Sequence, residues 1–307
     1  MDKKWLDDIK ALAFVAALIF VMAIPDIINV IILPHYKYNR AMQFKADGKF
    51  EEAREIFGEL FNYKDAKEQV TECDYCNAVA LTDNGKYPEA LALFNDLNGY
   101  KDSIDLIYKI NFEDGYIGTL DVGDTFLFGN KYGCMYEWLI LDKKDSKLLV
   151  TTNVIIGKAG YSKVKTNAEW GKCSLRYWLC NDFYETVLTE EEKAKVLLTD
   201  VPVDLHDCFT QDRMFLLSVE EAEKYFPTEE SRKCIYSYDT SVSSEKSPQL
   251  SDSSSGYLAW WLRTPGTDDQ YCTAYVDSDG RIDLCGVDSV DFKGLGIRPA
   301  MWIDIDI

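Results

Sequence analysis

Histidine is almost missing from this chain: among its 307 residues only His35 and His206 carry an imidazole. That scarcity excludes an HExxH zinc centre and leaves His206 as the sole candidate base for a serine or cysteine nucleophile. His206 and Cys208 stand two positions apart in a loop-like stretch, a poor arrangement for such a pair. No Gly-x-Gly-x-x-Gly turn and no Walker loop occurs, so neither a dinucleotide nor a nucleoside triphosphate finds its usual cradle. Basic residues are also short, 33 against 52 acidic ones, and the net charge of −19 repels phosphate backbones. Nucleic acid is therefore not an expected partner. Asp277-Ser278-Asp279-Gly280 begins like a calcium loop, but the fifth and twelfth positions lack the acidic residue and the Glu that such a loop needs. It reads instead as a hairpin turn at Asp279-Gly280. No catalytic residue, cofactor or metal follows from these patterns, although an enzyme remains the alternative class.

Nine cysteines leave at least one unpaired within a monomer, and most read as buried free thiols. Cys73-Asp74-Tyr75-Cys76 has no second pair at zinc spacing, and its thiols share one face of a helix, as packed core does. Long apolar runs are equally few. The one such run, Ala11 to Leu33, is interrupted only by Pro25 and Asp26 and has the length of a bilayer-spanning helix. A cleaved signal at Val21-Met22-Ala23 and a buried soluble helix are the rival readings. The expected arrangement is a single-pass membrane protein with residues 1–36 as anchor and an extracytoplasmic C-terminal domain. Lysine and arginine counts on the two sides of the run are near parity.

What is plentiful after the run is repetition. Ala41, Gly48, Phe57 and Tyr63-Lys64-Asp65 recur as Ala78, Gly85, Phe94 and Tyr100-Lys101-Asp102, 37 positions on (85 − 48). The period is near the roughly 34 residues of a tetratricopeptide unit. Residues 37–110 are therefore expected to form tetratricopeptide-like helical repeats, a spacer or a peptide groove. Each Tyr-Lys-Asp segment is expected to open a further helix, its Asp favoured by the helix dipole.

From about residue 111 the periodicity becomes strand-like and aromatics accumulate. Met135–Asp142 and Lys147–Thr152 read as a hairpin about a polar turn at Lys143–Ser146. Ser174–Leu179 starts a helix, and Ser218 with Glu221 forms a capping box. Ser237–Gly256 is a polar loop. Strands close the domain near Tyr257–Leu262, Thr273–Asp277 with Ile282–Cys285, and Ile297–Ile303.

Five motifs then occur in order: Gly123-Asp124 with Phe128-Gly129 and Trp138–Leu141; Ser174-Leu175-Arg176 with Trp178-Leu179; Phe215–Ser218; Trp260–Gly266; and Gly296–Ile303. Together they resemble the bacterial domain of unknown function 6273. The resemblance spans about Gly115 to Ile307 and implies a C-type-lectin-like mixed α+β fold for residues 111–307, related to formylglycine-generating enzymes. The fold class expected for the whole chain is α+β: transmembrane helix, α-helical repeat pair and lectin-like domain. The enzymes of that fold bind copper through paired thiols. Cys272 and Cys285 invite the comparison, but the matching site motif is missing. Arg176 and Arg298, set in apolar motifs, are expected to be structural clamps, with Asp124, Asp182 and Asp277 as candidate carboxylates. Trp260, Trp261 and Arg263 are the candidate ligand contacts, an aromatic beside a guanidinium suiting sugar rings or carboxylates, and burial of both faces of their strand is the leading alternative. The expected function is a membrane-anchored binding or structural module whose partner is a glycan or an envelope protein. The alternative is a cell-envelope enzyme acting on a surface polymer or protein.

Overall fold

A computed structural model of the protein describes residues 12–14, 28–60, 62–131, 134–163, 168–203, 208–236, 256–267, 271–284 and 290–306. The chain divides into one unit of residues Met1–Ser103 and a second of Ile104–Ile307.

In the first unit, helices α1 (Leu33–Ala46) and α2 (Phe50–Glu59) pack together, and α3 (Ala66–Asp83) packs with α4 (Tyr87–Asp96). The repeat is visible bond by bond. Lys49 N–H donates to the Phe44 carbonyl, and Lys86 N–H donates to that of Leu81. Both close a Schellman turn on a glycine of positive φ, Gly48 at 74° and Gly85 at 70°. Ala41 and Ala53 in one pair, and Ala78 and Ala90 in the next, are fully buried, which lets the helices approach closely. Phe57 and Phe94 fill the corresponding spaces.

Each Tyr-Lys-Asp segment clamps onto the first helix of the pair before it, α1 for Tyr63–Asp65 and α3 for Tyr100–Asp102. Tyr38 donates to Asp65 at 2.5 Å, and Tyr75 donates to Asp102 at 2.6 Å. The ammonium of Lys64 sits 4.3 Å from the centre of the Tyr38 ring, and that of Lys101 sits 4.4 Å from Tyr75. These carboxylate partners push both phenols up to about 12. As expected, Asp65 stands at the start of a further helix: it holds the N-cap position of α3, without a side-chain cap bond, and its carboxylate accepts from Tyr38 and Gln69.

The expected transmembrane helix, and with it single-pass membrane localisation, is overturned. Among the described residues, no helix is long and apolar enough to cross a membrane. Much of Ala11–Leu33 lies outside the described residues. Its described end, Ile28–Ile32, is a π-helical turn that leads into α1, a helix carrying Lys37, Arg40 and Lys45.

The second unit begins earlier than the expected residue 111. Helix α5 (Ser103–Tyr108) leads into a π-helical turn, Lys109–Glu113. There Phe112 stacks on Phe128 at 5.5 Å, and Asn111 donates to the Leu127 carbonyl at 2.7 Å. Strands β1 (Thr125–Lys131), β2 (Cys134–Lys144), β3 (Lys147–Thr152) and β11 (Ala300–Asp304) form an antiparallel sheet in the order β1-β2-β3-β11. A second sheet runs β4-β10-β7-β8-β9, from β4 (Gly157–Lys158), β10 (Gly296–Ile297), β7 (Trp260–Pro265), β8 (Thr273–Val276) and β9 (Ile282–Asp283). Strands β5 (Thr199–Val203) and β6 (Cys208–Asp212) make a separate hairpin. A helical run, α6 (Ser174–Tyr177), the π-helical Trp178–Phe183 and α7 (Tyr184–Val187), is followed by α8 (Glu190–Lys195), α9 (Val219–Tyr225) and α10 (Glu229–Arg232). The mixed α+β class is as expected, the expected capping box Ser218/Glu221 is formed, and Thr189/Glu192 and Thr228/Ser231 form two more.

The segment expected as one strand, Ile297–Ile303, is two. Arg298-Pro299 breaks it, so Gly296-Ile297 completes the second sheet and Ala300–Asp304 the first. Proline has no N–H for a ladder. Its carbonyl instead accepts from the Thr152 N–H and the Thr151 hydroxyl, joining the crossing point to β3.

Candidate functional site

The sequence Ile-Ile-Gly-Lys-Ala-Gly (155–160) supplies small residues to β4, an edge strand, and opposite it runs the helix Ser174–Val187. One stripe of that helix, Leu175, Leu179 and Phe183, is spaced four apart and buried in the core. The next stripe, Ser174, Trp178 and Asp182, faces a cavity of about 810 Å³ with Tyr177 beside it. Gly157, Ala159, Gly160 and Ile297 also line this cavity, as do Tyr136 and Phe183. Trp178 and Phe183 lie with ring centres 5.1 Å apart, and Tyr136 and Phe183 5.5 Å apart. The volume falls within the roughly 300–1,000 Å³ of small-molecule sites.

The charged groups on the described lining are Lys158, Lys163, Lys293 and Asp182, all exposed. Lys163 is placed by its own N–H, which donates to Ser174 Oγ at 2.7 Å. The Lys158 ammonium lies 5.3 Å from the Tyr236 ring centre. Among the described residues, none of the three lysines forms an ion pair, whereas Lys172 and Lys233 elsewhere in the unit do.

The residues expected to contact ligand lie behind this surface. Trp260 and Trp261 are fully buried and Arg263 is 3% exposed, so a site built from their side chains gives way to a core role. Both faces of β7 are covered. Trp260 donates to the Arg232 carbonyl, and its ring packs near Phe226. Trp261 donates to the Ala159 carbonyl at 2.8 Å and stands beside Tyr161, so it props the cavity floor from below. Arg263 forms a two-pronged ion pair with Glu221, the capping-box residue of α9, and donates to the Leu216 carbonyl.

The clamps find partners other than Asp124, Asp182 and Asp277. Arg176 pairs with Asp212, whose carboxylate also accepts from Trp170 and Thr210 at 2.7 Å each. Arg298 is held without a carboxylate. It donates to the Thr152 carbonyl at 3.0 Å, and its guanidinium lies over Phe226 and Trp260. Burial pulls its pKa below the usual arginine value.

Burial pushes the Cys173 thiol up to about 12, and it raises those of Cys180 and Cys234, so these sulfurs stay protonated at neutral pH. His206 and Cys285 lie outside the described residues. Among the described residues no group of three or more His, Cys, Asp or Glu is placed to hold a metal ion.

The second unit is thus a mixed α+β domain with a lysine-rimmed aromatic cavity. Residues 145–305, just over half of the chain, match the family described as Domain of unknown function (DUF6273), and the chain belongs to that family. No curated protein and no solved structure matches it.

Proposed function

We propose that the second unit is a ligand-binding module, and that its site is the cavity between β4 and the helix Ser174–Val187. The single observation that carries this reading is an open, aromatic-walled cavity of about 810 Å³ whose described lining holds one carboxylate and no imidazole. Paired acids or a nucleophile with its base would favour hydrolysis or acyl transfer. Tyr177 and Trp178 instead offer ring faces suited to stacking on a sugar, and a glycan is the proposed partner class. The finer resemblances belong to the same proposal. The tetratricopeptide-like reading of the first unit is supported by its 37-position period (85 − 48) and paired helices. The lectin-like reading of the second is supported by its five ordered motifs. The helical pairs then serve as a spacer.

The test is a thermal-shift screen of the full chain against neutral and acidic glycans, repeated with Tyr177→Ala and Trp178→Ala. Tyr177 is 66% exposed, so its loss leaves the core intact. A ligand present at 100 times its Kd stabilises by about 2.7 kcal/mol. The expected result is protection of the wild type that both variants lose while melting cooperatively. Protection retained in both variants, or turnover of a glycan by the purified protein, overturns the reading.

A further inference from the structure

The chain is strongly acidic, yet the described charged residues around this cavity are three lysines and one aspartate. Clustering free ammonium groups is unfavourable in itself, because like charges repel. Elsewhere in the second unit several lysines meet carboxylates: Lys172 with Glu169, Lys193 with Glu185 and Glu190, and Lys233 with Glu230. Lys158 and Lys163 on one stretch of chain and Lys293 on another are brought by the fold to one rim, and none forms an ion pair among the described residues. Below them are ring faces, Tyr136, Trp178 and Phe183, and small backbone-like residues, Gly157, Ala159 and Gly160.

From this juxtaposition we infer that the cavity takes a small organic anion: a ring that lies against the aromatic wall, carrying a carboxylate or phosphate that meets the three lysines. The inference rests on the cavity being the ligand site and adds the ligand's charge. The net charge of −19 does not oppose it at ordinary ionic strength. The screening length is about 8 Å in physiological salt, so the field at the rim is set by the rim's own ammonium groups. Each lysine offers three rotatable donors to an acceptor of variable position.

The experiment uses the full chain and four probes that separate ring from charge: glucose, glucuronate, phenyl phosphate and inorganic phosphate, titrated by calorimetry or ligand-observed NMR. Glucuronate against phenyl phosphate distinguishes a sugar ring from an aromatic one. At least one of these two is expected to bind roughly tenfold or more tightly than either glucose or inorganic phosphate, tenfold being about 1.4 kcal/mol. Lys158→Ala, Lys163→Ala and Lys293→Ala should each weaken that binding roughly three- to tenfold without lowering the melting temperature. The wild type's affinity should also fall with added salt more steeply than that of each variant.

If glucose binds as well as glucuronate and the lysine variants change nothing, the inferred charge is wrong, while the ligand-binding reading stands. If both ring-bearing anions fail to bind while a neutral ligand binds and is lost in Trp178→Ala, the outcome is the same. If ring-bearing anions bind but Tyr177→Ala and Trp178→Ala leave their affinity unchanged, both readings fall together.

Discussion

Glu192 shows how one side chain can carry two structural duties at an electrostatic cost. It closes the capping box of α8 by accepting from Thr189 N–H, and it accepts from Gly129 N–H at 2.8 Å, while only 2% exposed. Desolvation raises its pKa above the ordinary carboxylate value, more than those two donors lower it. A carboxyl raised in the folded state binds protons there more tightly than in the unfolded chain. Its contribution to stability is therefore largest at low pH, and it declines as pH rises from the unfolded value of about 4.3 through the folded one. Glu192→Gln keeps the capping geometry and removes the titration. Denaturant melts at a series of pH values should show a flatter stability profile for the variant above about pH 4. An unchanged slope would show that Glu192 does not titrate differently on folding.

Gly280 carries a second prediction at this scale. Its φ is +87°, and an added Cβ would meet the Glu229 carbonyl oxygen at 1.8 Å, a backbone atom that cannot swing away. Gly280→Ala should cost roughly 2–4 kcal/mol, more than positive φ alone would account for. A melting temperature within a degree or so of wild type would contradict this close docking. The Asp-Gly pair identifies the hairpin turn from sequence, but the reason no other residue fits, the neighbouring α10, is a tertiary contact.

At the scale of elements, periodicity was the legible part. The constant spacing of Gly48/Gly85 and Tyr63/Tyr100 announces equivalent turns, and the bonds at those turns are equivalent. The partners of Asp65 and Asp102 were not legible, because Tyr38 and Tyr75 lie a helical pair away and only folding brings them into reach. Tyr38→Phe and Tyr75→Phe each delete one charge-assisted bond and should cost similar amounts, roughly 1–2 kcal/mol apiece in chemical denaturation. If one variant costs nothing while the other costs the full amount, the two clamps are not equivalent.

Strand β7 makes the opposite point. Alternation of Trp260, Trp261, Leu262 and Arg263 implies two faces, and the sequence leaves open whether one meets a cleft or both are buried. Both are buried: Phe226 and Arg298 pack on Trp260, while Tyr161 packs against Trp261 and Glu221 pairs with Arg263. Trp261→Ala should destabilise the second unit by roughly 3–5 kcal/mol, and Arg263→Ala by about 3 kcal/mol with Glu221 left unpaired. Native-like melting of both variants would show that neither is core. The cavity wall carried a weaker sequence signal. In Ser174–Phe183 an apolar stripe at four-residue spacing lies beside a second stripe holding a tryptophan. A large aromatic on the solvent side of an amphipathic helix was the available clue. The full rim was not legible, since Lys293 lies far in sequence from Lys158 and Lys163 and meets them only through the fold.

For the whole molecule, membership in the DUF6273 family covers the domain that holds the cavity, while the repeats lie outside the matched residues. The cavity is bounded by an edge strand, a helix and the stretch around Lys293, all within one unit. Ligand should therefore be felt by these segments and not by the helical pairs. Hydrogen exchange of the full chain, with and without saturating phenyl phosphate or glucuronate, tests this most directly. The predicted result is slowed exchange in Ile156–Lys163 and Ser174–Phe183, and none in α1 to α4. Protection confined to the helical pairs, or to the hairpin of β5 and β6, would contradict the assignment of the cavity as the binding site.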